Sequence, residues 1–255
     1  MAAAILIGVI GVKEFFNGWE NMGVHPSANI AYVMTGLLYV IHILSICNDK
    51  IGEYQPFLIM MWLAMAVSVS FIYGWKINER GAYDAIATAS GLIYVVFFSY
   101  HIVLIDSAFG SAFKPMVWIV LLASFGSDIC AYFTGYLIGK HKLAPVLSPK
   151  KTIEGAVGGV IGGALLCVLA YVLFLRNQMP LVNGWIVAVI GAFAAAVSQA
   201  GDLTASAFKR KMGIKDYGNL IPGHGGIMDR FDSVIFTAPF VFYATMLFMV
   251  INGGL

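Results

Sequence analysis

PMVWIVLLASFGSDICAYFTGYLI, residues 115–138, carries one charge, that of Asp128, across its whole length. A helix needs roughly 20 mainly apolar residues to cross a bilayer, so this stretch predicts a transmembrane helix with a carboxylate inside it. Seven further stretches of the same kind fall at about 1–16, 29–46, 56–74, 84–105, 155–175, 183–205 and 230–251. Composition agrees: 60% of residues are hydrophobic and 11% charged, and the mean hydropathy is +0.85. Soluble domains are about a quarter charged. The expected fold is therefore all-α, a polytopic integral membrane protein of about eight transmembrane helices.

Lys and Arg are retained in cytoplasmic loops. With these spans one side collects Lys13, Lys76, Arg80, Lys140, Lys142, Lys150, Lys151, Lys209, Arg210, Lys211, Lys215 and Arg230, and only Lys50, Lys114 and Arg176 lie opposite. The loops around 139–154 and 206–229 are thus both expected to face the cytoplasm, and a functional site is expected near that face. The net charge of +2 does not imply nucleic acid as a partner. The Met-Ala-Ala-Ala start lacks the basic segment and cleavage site of a removable signal peptide. Cys47, Cys130 and Cys167 have no metal-ligand spacing and read as small hydrophobes.

By content the chain divides into an N-terminal scaffold, 1–113, and a catalytic region, 114–255, within one continuous membrane domain. Glu14, His42, Asp84, His101 and Asp106 lie in or near the N-terminal spans without forming a recognisable cluster, and are expected at helix ends or in internal pairs. Later, Gly155, Gly159 and Gly163 repeat every four residues and so line one helix face, where another helix can approach closely.

Asp128 follows Ser127 deep in the fifth span, and Asp202 lies near the end of the seventh. Asp229 and Asp232 open the eighth, three apart on one helix face beside Arg230. Intramembrane carboxylates face a polar cavity or a partner, and this set suits Mg²⁺, which takes one or two carboxylates and leaves room for water and phosphate. A salt-bridged cluster with Arg230 is the alternative. Between 139 and 155, Ser148-Pro149-Lys150-Lys151-Thr152 precedes a helix and resembles an anion-binding entry; Lys140 and Lys142 read as charge anchors. The loop from 213 to 228 sets Lys215, Asp216 and His224 among glycines that permit close backbone approach. Spacing leaves His224 open between phosphate binding, proton transfer and a structural role.

Taken from Ser206 to Asp232, the sequence resembles the signature of the phosphatidate cytidylyltransferases, the CDP-diacylglycerol synthases. The matching residues are Ser206, Phe208, Lys209, Arg210, Lys215, Asp216, Gly218, Ile221, Pro222, His224, Gly225, Gly226, Ile227, Asp229, Arg230, Phe231 and Asp232. Ser127-Asp128, Ser148-Pro149, Lys151-Thr152, Glu154-Gly155 and Gly201-Asp202 match in the same order. The resemblance covers roughly 115–250, and the family generally begins with additional apolar sequence.

The resemblance implies transfer of CMP from CTP to phosphatidic acid, giving CDP-diacylglycerol and pyrophosphate. It implies that Asp202 and Asp229 hold Mg²⁺, in one or two ions, with Asp128 nearby. Ser148, Lys151, Thr152, Ser206, Lys209, Arg210, Lys215 and Arg230 are expected to contact substrate, and His224 to bind phosphate or handle a proton. Asp216 would accept from the cytosine amino group or support the site from outside. The expected setting is a bacterial inner membrane among lipid substrates, and a homodimer is compatible with it. An ion-coupled transporter, or a transferase using CTP with another lipid acceptor, are the competing readings.

Overall fold

The computed structural model describes residues 1–76, 79–108, 113–179, 182–223 and 225–251. The helices are α1 (Ala2–Glu20), α2 (Ala28–Cys47), the short α3 (Asp49–Glu53), α4 (Gln55–Tyr73) and α5 (Ala82–Ser90), which runs through a π-helical turn, Gly91–Phe97, into α6 (Phe98–Ala108). Next come α7 (Met116–Ile138), the strands β1 (Lys142–Ala144) and β2 (Ser148–Thr152), α8 (Ile153–Ala170) with a π-helical end at Tyr171–Leu175, α9 (Gly184–Lys211) and α10 (Ile227–Ile251). Among the described residues eight helices are long and apolar enough to cross a membrane. They coincide with the eight expected stretches, and the protein is an all-α polytopic membrane protein.

Two compact units are built from this chain, one from Met1–Tyr100 with Lys211–Arg230, the other from His101–Arg210 with Phe231–Leu255. In the first, Val12, Phe15 and Phe16 of α1 are fully or nearly fully buried. Phe15 meets Tyr94 edge-on at 5.7 Å and Tyr217 at 5.9 Å. Buried Trp62 stacks on Phe97 and donates its indole N–H to the Met34 carbonyl at 2.7 Å, so its polar handle is satisfied inside an apolar contact. Two of the polar residues singled out in this half, Asp84 and His42, are internally paired. Asp84 accepts from the backbone N–H groups of Gly81 and His25, both at 2.7 Å, and His42 Nδ1 lies 2.9 Å from the Tyr100 hydroxyl.

In the second unit, α7 packs lengthwise against α8 across buried Gly155, Gly159 and Gly163. A Cβ on Gly159 would stand 2.9 Å from both the Ala131 Cβ and the Ser127 carbonyl oxygen, closer than packed atoms tolerate, so this crossing requires glycine. The core here includes Ile119, Val120, Cys167, Ala194, Ala195 and Val234. Cys167 is buried and, like Cys47 and Cys130, a free thiol.

Where a loop was expected at 139–154 there is a small antiparallel hairpin, Lys142 opposite Thr152 and Ala144 opposite Ser148. The Glu154 carboxylate folds back onto it, accepting from the N–H groups of Lys140 at 3.0 Å and His141 at 3.2 Å. Thr152 caps α8, its Oγ1 accepting from the Gly155 N–H at 3.1 Å. Helix ends also differ from expectation. α9 continues through Lys211, making Ser206, Lys209 and Arg210 helical; basic residues suit a helix C-terminus, where the backbone dipole is negative.

Candidate functional site

In the second unit a cavity of about 580 Å³ opens between α7, the hairpin, α8 and α9. Asp128, Gln199 and Asp202 line its depth, Lys150 and Lys151 its hairpin wall, and Tyr132 and Tyr136 its α7 side. Each position follows from local structure. Asp128, Tyr132 and Tyr136 repeat at four-residue spacing along α7 and so share a face, and the two tyrosine rings stack at 14°. β2 carries Lys151 to the foot of α8, one residue before the cap.

Lys151 Nζ is paired directly with Asp202 Oδ2, both side chains about three-quarters buried. Asp128 stands within electrostatic reach of both. Asp232, from the first turns of α10, is 3.9 Å from Lys209 Nζ and within reach of Asp202 and Asp128. Over these five groups the fully ionised charge is three carboxylates against two ammoniums, a net −1. Carboxylates brought together beside lysines are a setting in which a hard divalent cation can bind with phosphate oxygens completing its shell. Among the described residues no three His, Cys, Asp or Glu side chains form a metal cage by themselves.

Gln199 ties the helices together at this depth. Its Nε2 donates to Ser127 Oγ and to the Ala156 carbonyl, both at 2.9 Å, so one amide on α9 holds α7 and α8. At the rim, Arg210 Nε points at the Leu147 carbonyl in the hairpin turn at 3.4 Å. Ser148 is taken up in the β2 pairing and Thr152 in the helix cap.

The first unit holds a second, polar cavity of about 660 Å³, lined by Lys215, Asp216, Asn219 and Arg230 with Pro222, Gly223 and Gly225. Asp229 forms its support. Asp229 Oδ2 accepts from the N–H groups of Tyr217 at 2.8 Å, Gly226 at 3.0 Å and Gly218 at 3.4 Å. Glu14 adds to this from α1, accepting from the N–H groups of Ile227 at 3.2 Å and Met228 at 2.8 Å.

Of the residues singled out in the sequence, the second unit thus brings together Asp128, Lys151 and Asp202, with Ser148, Thr152, Ser206, Lys209 and Arg210 on the same elements. The first holds Lys215, Asp216, Asp229 and Arg230. His224 lies outside the described residues. Sequence reasoning passed over Gln199, counted Asp232 in the carboxylate set without assigning it a role of its own, and left Glu14 as an isolated acid. An amide in an otherwise apolar span three residues before Asp202 was the available signal for Gln199; nothing near Glu14 in sequence announces its partners.

A model of the cytidylyltransferase family matches residues 1–248. Proteins named phosphatidate cytidylyltransferase are similar over most of the chain: that of Staphylococcus epidermidis is 31% identical over 240 residues, 94% of this chain and 86% of its own length. That of Staphylococcus aureus is 31% identical over 241 residues, with the same shares covered. The Bacillus subtilis protein is 44% identical over 122 residues, 48% of this chain and 44% of its own.

Proposed function

Because this chain belongs to the cytidylyltransferase family, we propose that it is a phosphatidate cytidylyltransferase, joining CTP to phosphatidic acid to form CDP-diacylglycerol in phospholipid synthesis. A phosphate oxygen of phosphatidic acid attacks the α-phosphorus of CTP. The bond from that phosphorus to the bridging oxygen of the β-phosphate breaks, and pyrophosphate leaves with the electron pair. Such a reaction depends on positioning and on offsetting charge at the phosphate oxygens.

The observation that carries this reading is the group Asp128, Lys151 and Asp202 gathered at one cavity between apolar helices, with the Asp232 and Lys209 pair within electrostatic reach of it. Asp128 and Asp202 are the residues proposed to hold Mg²⁺, which when bound would neutralise developing charge on the phosphates. Asp229 is proposed as a metal-facing residue on resemblance alone. Lys151 meets phosphate when it leaves Asp202, and Lys150 supplies further positive charge on the same wall. Tyr132 and Tyr136 offer an apolar flank to a substrate that keeps its acyl chains in the bilayer. Lys215, Asp216 and Arg230 are proposed nucleotide contacts, and His224 a phosphate or proton contact. The excess of Lys and Arg on one side supports a site facing the cytoplasm, and the bacterial relatives support a bacterial membrane.

Detergent-purified protein given CTP, phosphatidic acid and Mg²⁺ is expected to release pyrophosphate and form CDP-diacylglycerol in equal amounts, and to stop with EDTA or with Asp202→Asn. Turnover of polyprenols or ether lipids in place of phosphatidic acid would move the assignment to another acceptor. Substrate transport into liposomes without CTP consumption would remove it.

A further inference from the structure

Glu14 lies in the first membrane-spanning helix, 7% exposed, and both its carboxylate oxygens are spent on the opposite end of the sequence. One accepts from Ile227 N–H and the other from Met228 N–H, the first two residues of α10. Those groups belong to the helix start, where N–H donors have no intrahelical acceptor. Asp229 Oδ2 takes the neighbouring donors at Tyr217, Gly218 and Gly226. Glu14 from α1 and Asp229 from α10 therefore both accept backbone N–H groups of one turn-rich segment. The fit on the Glu14 side is close: a Cβ placed on Gly218 or Gly226 would run into the Glu14 carboxylate. The segment so held carries Lys215, Asp216, Asn219 and Arg230, the side chains that line the polar cavity of this unit.

We infer that Glu14 is a positioning residue for nucleotide binding: by clamping the start of α10 it fixes the 215–230 segment in the shape that receives CTP. The inference rests on the cytidylyl-transfer reading above. Glu14 touches no substrate and acts through the backbone of this segment. A carboxylate is required because both contacts are accepted bonds. Glutamine offers one acceptor and turns an NH₂ donor toward the second N–H, where no bond can form.

The test compares purified full-length protein with Glu14→Gln, Glu14→Asp and Gly226→Ala, the last pressing on the carboxylate without changing any charge. Three readouts are taken: backbone hydrogen exchange over 213–230, equilibrium binding of radiolabelled CTP with Mg²⁺, and steady-state kinetics with CTP and phosphatidic acid varied separately. Glu14→Gln and Gly226→Ala are each expected to speed exchange in that segment, to weaken CTP binding, and to lower kcat/KM for CTP by roughly 10–100-fold. KM for phosphatidic acid should stay within about twofold, and Glu14→Asp, which keeps both acceptors on a shorter arm, should recover part of the loss. Faster exchange with CTP affinity unchanged would mean that Glu14 only stabilises the fold, and would overturn the inference. If Glu14→Gln does not fold, Gly226→Ala decides by the same readouts. Wild-type protein that binds CTP but forms no CDP-diacylglycerol overturns the reaction assigned above, while CTP binding by the variants still judges Glu14.

Discussion

Gln199 and Ser127 share a hydrogen bond of 2.9 Å, and the same Gln199 nitrogen reaches the Ala156 carbonyl, so the residue before Asp128 is anchored by the residue one turn before Asp202. Interhelical hydrogen bonds within membranes average about 0.6 kcal/mol and reach about 1.7. Gln199→Leu removes both while keeping similar bulk. It is expected to cost about 1–3 kcal/mol by those figures, read as a lower midpoint of thermal unfolding in detergent, and to lower kcat at least as much as it raises KM for CTP.

Lys151 is paired directly with Asp202. A metal arriving at Asp202 must displace it, after which the ammonium is available to phosphate. Lys151→Gln is expected to lower the Mg²⁺ concentration giving half-maximal rate, because the competing cation is gone. The same change should lower kcat by roughly 10–100-fold, the loss of one charge-assisted phosphate contact of about 1.5–3 kcal/mol. A variant needing more Mg²⁺ would show that the pair does not oppose metal binding.

Asp232 sits among the charges of the second unit and not merely at a helix start. Asp232→Asn is expected to reduce kcat by roughly 10²–10³-fold, as removal of a charge-stabilising group commonly does, with thermal stability close to that of the parent. Its Mg²⁺ titration should shift to higher concentration. Normal turnover would confine Asp232 to a structural pairing with Lys209.

The close crossing of α7 and α8 gives a separate test without charge. Gly159→Ala adds one methyl where Ala131, the Ser127 carbonyl and Gln199 already stand, and overpacking of this kind costs about 1–3 kcal/mol. The expected result is a lowered unfolding midpoint, with activity lost in proportion as the Ser127 to Gln199 bond is strained. Gly36, with nothing within 4 Å of an added Cβ, is the control: Gly36→Ala should leave both unchanged.

Hydropathy made the eight helices legible because a bilayer leaves little freedom: backbone N–H and C=O groups must be satisfied within each span. The Gly155, Gly159 and Gly163 face was legible for the same reason, since spacing alone fixes which residues share a helix face. Helix ends were less so. α9 reaches Lys211 because Lys209 and Arg210 find partners in Asp232 and the Leu147 carbonyl, contacts that no window of sequence contains. The hairpin at 142–152 escaped because its strands are short and polar and are held by Glu154 from the next helix. Asp128, Lys151 and Asp202 were found through the oddity of charge in apolar surroundings and through a family signature. Glu14 has the same oddity, but its meaning resides wholly in residues at the other end of the chain.

That last separation has a consequence for biosynthesis. Glu14 precedes its partners by 213 and 214 residues, and at about 5–20 residues per second a ribosome needs roughly 10–40 s to cover the distance. Throughout that interval α1 carries a carboxylate whose bonds to Ile227 and Met228 are still unmade, and an ionised group within a membrane span is costly. The nascent first helix must therefore keep that group hydrated, protonated or shielded at the insertion machinery until α10 emerges, which makes closure of the Glu14 clamp one of the last events in the assembly of the enzyme.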